Sequence, residues 1–259
     1  FWCLWVILFC NITAGIGILE NAAPMVQDYY PALSAAAAAG FVGLLSLANM
    51  GGRFIWSSAS DLIGRKNIYM VYLGVGLIFY FVVASAGHTS LALFVVSTLI
   101  LLTFYGGGFS TIPAYLRDLF GVYQVGAIHG RLLTAWSAAG VAGPLIINTV
   151  VERQANRGNS GPELYQLSLY IMCVLLAVGL AANVLVRPVA RKWFEDPETV
   201  QAKVEADRAS ARASATTATG GGAGSLHALV ATVLALVIAV LLVYGLWETA
   251  VKASQMFAG

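Results

Sequence analysis

The sequence predicts an all-α membrane protein with about seven spanning helices. Three observations predict it. Hydrophobic residues make up 59% of the 259 and charged residues only 10%, where a soluble domain carries about 25% charged. The apolar residues fall into runs that reach the roughly 20 residues a helix needs to cross the hydrocarbon. Most connections between runs are short, so consecutive runs read as antiparallel spans.

The first run covers about 1–25 and the second about 34–57. The third, about 68–87, is joined to the fourth, about 91–114, by His88-Thr89-Ser90. The fifth covers about 122–149 and the sixth about 165–187, separated by a longer loop at about 150–164. A polar stretch at 188–225 follows. It begins charged, with helical potential, and ends in the flexible Gly220-Gly221-Gly222-Ala223-Gly224 segment. The seventh run is about 226–247. The predicted organisation is a six-helix unit at 1–190, a linker at 191–225, and an additional transmembrane helix with its tail at 226–259. The chain opens at Phe1 inside an apolar run, with no charged segment before it, so the expectation is that an N-terminal portion precedes it.

The net charge of +2 is too small to point to nucleic acid. Cys3, Cys10 and Cys173 all lie inside apolar runs, at no metal-ligand or redox spacing, and read as packing residues. No cofactor or metal is expected. The basic residues are unevenly placed. Nine (Arg65, Lys66, Arg117, Arg187, Arg191, Lys192, Lys203, Arg208, Arg212) fall on one side of the spans, and three (Arg153, Arg157, Lys252) on the other. Lys and Arg concentrate in cytoplasmic loops, so the second-to-third loop and the 188–225 stretch are expected in the cytoplasm.

Two arginines remain inside spans. Arg53 stands eight residues before Asp61, at the end of the second run. That places it about 12 Å into a bilayer whose half-thickness is about 15 Å. Arg131 stands eleven residues after Phe120, or about 16 Å along the fifth run. A charge at such depth is expensive in lipid and faces a partner or a watery path. Two guanidinium groups at similar depth on different helices suit a carboxylate, which each can grip with paired hydrogen bonds. The alternative for Arg53 is snorkelling to the interface or a structural pairing. Glu20, in the first run, could neutralise an arginine, carry a proton, bind a cation or sit at the outer interface. Asn21 and Pro24 follow it and should weaken the end of that helix. His129 shares the fifth run with Arg131, but two residues apart they point in different directions; it reads as a packing or hydrogen-bonding residue or, with Glu20, as a proton or charge-balancing group. Gly106-Gly107-Gly108 with Pro113 is expected to interrupt the fourth run, and tight helix packing is the plainer use of most of the glycines.

The loop Arg53-Phe54-Ile55-Trp56-Ser57-Ser58-Ala59-Ser60-Asp61-Leu62-Ile63-Gly64-Arg65-Lys66 resembles the signature loop of the major facilitator superfamily: a small residue, three variable positions, Asp, two more, then Gly-Arg-Lys. Ser57 stands where the family has its first Gly, and Leu62 where it has Arg. The segments Ala48-Asn49-Met50-Gly51-Gly52-Arg53, Phe120-Gly121 and Ala127-Ile128-His129-Gly130-Arg131 are similar to the eighth and eleventh helices of the oxalate/formate antiporter branch. The resemblance covers 1–190 and implies the C-terminal six-helix half of such a carrier, helices 7–12, in the plasma membrane. In oxalate carriers of that branch two basic residues on those helices hold the dicarboxylate. Arg53 falls on the first. The second, a lysine there, falls at Ala127, one turn before Arg131. The seventh run resembles a one-helix protein that accompanies some such carriers.

The resemblance implies secondary active transport of a small mono- or dicarboxylate by alternating access, with a second six-helix half as partner. It gives Asp61, Gly64, Arg65 and Lys66 a gating role. No nucleophile–base pair or zinc-protease motif argues for an enzyme, and the competing reading is a membrane-embedded structural subunit or an enzyme of unknown reaction.

Overall fold

The computed structural model describes residues 1–190, 197–219, 230, 232–237, 239–240, 243–244, 247 and 251. Among them the regular structure is entirely helical, with no strand. The chain divides into two compact units, Phe1–Pro188 and Val189–Val251.

The first unit contains α1 (Trp2–Tyr29), α2 (Ala35–Ile63), α3 (Arg65–Ala86), α4 (Leu91–Phe120), α5 (Val125–Leu132), α6 (Thr134–Asn156) and α7 (Glu163–Leu185). A 3₁₀ turn at Gly87–Thr89 prolongs α3. Counting α5 and α6 as one interrupted span, the unit holds six helices long and apolar enough to cross a membrane. Several run further than the apolar runs do. The first reaches Tyr29 and the fourth Phe120, because backbone hydrogen bonding continues after the sequence turns polar. Pro24 does not end α1. It withholds one N–H from the ladder, the one that would reach the Glu20 carbonyl.

α1 is the core of this unit. Of its most apolar stretch 67% is buried, against 28% for α2 and 22% for α5–α6. α1 packs on α6 and α7, α2 on α4, and α3 on α7 and α4. Lipid supplies no hydrophobic force to press helices together, so close backbone approach matters. α2 and α4 achieve it at two glycines. A Cβ on Gly52 would strike the Thr103 backbone, and one on Gly106 the Asn49 backbone.

Those contacts correct one expectation. α4 is not interrupted at Gly106–Gly108 or Pro113 but runs unbroken from Leu91 to Phe120. The three glycines pack instead. Gly106 meets Asn49 of α2, Gly107 meets Trp56 of α2 and Tyr72 of α3, and Gly108 meets Asn11 of α1.

The break falls elsewhere, at Leu133 between α5 and α6. There the Thr134 hydroxyl donates to the Arg131 carbonyl at 2.8 Å, a local bond that competes with the helical ladder. Trp5 Nε1 of α1 donates to the same hydroxyl at 2.9 Å. At one end of the bundle Tyr29, Tyr30, Phe94 and Tyr165 cluster, and the Tyr165 hydroxyl donates to Asp28 at 2.7 Å.

In the second unit α8 spans Pro197–Thr219, within the expected linker, and its helical course fits the charged start of that stretch. The segment from Gly220 to Gly224, and most of the expected span at 226–247, lie outside the described residues.

Candidate functional site

Arg53 projects from α2 one turn past that helix's middle and is half-buried. Its Nε donates to Asn49 Oδ1, one turn earlier on the same helix, at 3.3 Å. Its guanidinium carbon lies 5.2 Å from the centroid of the Phe109 ring on α4. The electron-rich ring face attracts the cation. Among the described residues no carboxylate forms an ion pair with Arg53. The cation is therefore held in place by an amide and a ring, and its charge is not cancelled.

The aromatic contacts continue across the unit. Phe109 meets Trp136 of α6 edge to face at 4.4 Å, and Trp136 lies 6.0 Å from Tyr105 of α4. Tyr105 sits at the middle of α4, within electrostatic reach of both Arg53 and Glu20. Glu20 is exposed on α1, one turn past that helix's middle. Since α1 and α2 run antiparallel, Glu20 is displaced toward the α1–α2 connection and Arg53 toward the α2–α3 connection. A cation, an aromatic floor and a carboxylate thus follow one another through the depth of the unit.

The fifth span requires a correction. Phe120 is the last residue of α4, and Gly121, at φ 77°, turns the chain before α5 begins at Val125. Arg131 therefore stands six residues into its span, about 9 Å instead of about 16 Å. It is exposed, and its side chain forms no hydrogen bond or ion pair with a described residue. No hydrogen bond or ring contact joins it to Arg53. Its neighbour His129 is half-buried, with Nε2 enclosed and unpartnered among the described residues. Glu20 is exposed, and α1 continues nine residues beyond it to Tyr29.

The α2–α3 joint is a second polar cluster. Only Gly64 separates the two helices, at φ 91°, a conformation that suits glycine. Arg65, its side chain 10% exposed, pairs with Asp61 and, at 3.5 Å, with Asp118 at the end of α4. It also donates to the Ser60 hydroxyl. Lys66 donates to the carbonyls of Val184 and Val186, at 3.0 and 2.8 Å. It thereby caps the C-terminal end of α7, where a cation suits the helix dipole. Asn183 of α7 returns a bond to the Lys66 carbonyl at 2.9 Å and accepts one from Tyr115 of α4 at 3.3 Å. The joint ties α2, α3, α4 and α7 together.

Asp118, Phe109, Trp136 and Tyr105 are the site residues that sequence reading overlooked. Asp118 stood beside Arg117 at the end that already held Asp61, which was a usable signal. The three aromatics lay among many others in apolar runs and gave none. No group of three metal-ligating side chains occurs among the described residues. No protein-family model matches the chain, and no curated protein sequence matches it.

Proposed function

We propose that this chain supplies the six-helix C-terminal half of a major facilitator-type carrier, resembling the oxalate/formate antiporter branch. The carrier moves small mono- or dicarboxylates across the plasma membrane by alternating access. The observation that carries this reading is Arg53: a cation deep in a span, oriented by Asn49 and Phe109, with no carboxylate partner among the described residues. A charge kept uncancelled at that depth suits an anionic ligand.

In this reading the carboxylate docks on Arg53 above the Phe109–Trp136 floor, facing a second six-helix half that closes over the sparsely buried α2 and α5–α6. Arg131 supplies a further cation at the mouth of the site. Glu20 and His129 balance charge or hold a proton as the ligand enters and leaves. The Asp61–Arg65–Asp118 cluster stabilises one of the two access states from the cytoplasmic side.

The test is uptake of radiolabelled oxalate, formate and lactate into proteoliposomes by the carrier assembled with its second half. One charge-assisted contact is worth roughly 1.5–3 kcal/mol, so Arg53→Gln should weaken binding about ten- to a hundredfold. A true substrate that is a cation or an uncharged sugar overturns the reading. So does unchanged affinity in both Arg53→Gln and Arg131→Gln.

A further inference from the structure

Four basic residues stand where α3 begins and where α4 and α7 end: Arg65, Lys66, Arg117 and Arg187. Arg65 is shared between Asp61 and Asp118, and Arg117 lies 3.9 Å from Asp118. Lys66 and Arg187 pair with no carboxylate among the described residues. These two are close neighbours. The Lys66 ammonium donates to the carbonyls of Val184 and Val186, at 3.0 and 2.8 Å, and the second of these belongs to the peptide bond that leads into Arg187. Covalent geometry therefore puts the ammonium within about 6 Å of the Arg187 Cα. Two of its three N–H donors are used and the third is left. Both residues are exposed. The surface beside them is apolar: Met70, one turn along α3 from Lys66, and Val184 and Leu185 at the end of α7 are all exposed. Gly74, a further turn along α3, leaves a shallow recess against α7, since a Cβ there would meet only Leu180, at 4.0 Å.

We infer that this end of α3 and α7 binds an anionic phospholipid, with its phosphate on Lys66 and Arg187 and an acyl chain along the face that holds Met70 and Gly74. The level fits. Lys66 is the second residue of α3 and Arg187 lies two residues past the end of α7, at the ends of spans, where headgroups lie. A basic pair between two spans suits a lipid phosphate there. The chemistry selects among lipids. A choline headgroup brings a cation beside its phosphate, which two basic side chains repel, whereas a glycerol headgroup leaves the negative charge uncompensated. The exposed apolar surface below the pair favours a phosphate that carries acyl chains over a soluble one. The inference rests on the six helices long and apolar enough to cross a membrane, and not on the transport reading.

The test titrates phosphatidylglycerol and phosphatidylcholine into the full chain in an uncharged detergent, with bound lipid counted by native mass spectrometry. Each basic residue is worth about fivefold in affinity for an anionic headgroup, so the parent should prefer phosphatidylglycerol by roughly 30-fold. Arg187→Gln should weaken phosphatidylglycerol binding about fivefold. Arg187 makes no hydrogen bond or ion pair with a described residue, so this variant keeps the fold and reads the headgroup contact alone. Lys66→Gln combined with Arg187→Gln should remove the preference. Arg117→Gln, at the same end but beside Asp118, should keep it. Equal binding of the two lipids by the parent overturns the inference, and so does parental affinity for phosphatidylglycerol in Arg187→Gln. Displacement of the lipid by glycerol phosphate at the lipid's own concentration overturns it as well, because the site would then be one for a soluble phosphate.

Discussion

The Arg53 guanidinium carbon lies 5.2 Å from the centroid of the Phe109 ring, on the neighbouring helix. A ring fixes a guanidinium's plane without cancelling its charge, so under the proposed function this contact presets the geometry of a carboxylate grip. Phe109→Leu should weaken binding of the carboxylate substrate, by less than Arg53→Gln does, and roughly 2- to 30-fold on the 0.5–2 kcal/mol scale of such contacts. Arg53→Lys keeps the charge but loses the flat fork, and should also bind weakly. Titration of the substrate against the parent and the variants reads all of these. Equal affinity in Phe109→Leu and parent would show that the ring does not orient the cation.

Two adjacent glycines should give opposite results. A Cβ on Gly52 collides with the Thr103 backbone, which cannot swing aside, while a Cβ on Gly51 meets nothing within 4 Å. Gly52→Ala should therefore force α2 and α4 apart and destabilise by about 1–3 kcal/mol, the usual range for overpacking. Gly51→Ala should be neutral, or stabilising by up to about 1 kcal/mol through helix propensity. Thermal denaturation in detergent compares the two. Similar midpoints would mean that α2 and α4 do not cross at Gly52.

The physical basis of these two predictions also explains what was legible in the sequence. Arg53 stood out as one charge in a long apolar run, and its distance from the end of α2 followed from counting because α2 continues unbroken from Arg53 to Ile63. The same count failed for Arg131. Its origin, Phe120, belongs to α4, and Gly121 lies between. Hydropathy marks apolar length, and helical hydrogen bonding decides where a helix ends. The floor of the site was hidden for another reason. Phe109 and Arg53 are far apart in sequence and meet only because Gly52 and Gly106 let α2 and α4 approach. Asn49 was within reach of a local reading, since it stands one turn from Arg53 on the same helix.

The α2–α3 joint makes a kinetic prediction. Arg65 is nearly enclosed and is shared between Asp61 and Asp118, both of which remain partly exposed. Removing either charge loosens the joint without touching the mid-span cation. Asp61→Asn and Asp118→Asn in the complete carrier should each slow maximal transport several-fold while substrate affinity changes little. Initial rates over a range of substrate concentrations separate the two effects. A large loss of affinity at unchanged maximal rate would place these carboxylates at the substrate site instead.

The last prediction concerns orientation. Basic residues in short loops stay on the cytoplasmic side, and the joint with Arg65 and Lys66 lies at the opposite end of the bundle from the α6–α7 loop with Arg157. The joint should face the cytoplasm and the α6–α7 loop the exterior. Single cysteines report this once Cys3, Cys10 and Cys173 are replaced by alanine. Leu62, 90% exposed in the joint, and Ser160, exposed between α6 and α7, are suitable positions. Gly158 is a poor choice although it is exposed, because at φ 85° a cysteine would strain the backbone. A membrane-impermeant maleimide applied to intact cells should label Ser160→Cys and leave Leu62→Cys unmodified until the membrane is permeabilised. The reverse pattern would invert the topology and move the Asp61–Arg65–Asp118 cluster to the exterior. It would leave Arg53 at the same depth, so the carboxylate reading stands or falls separately.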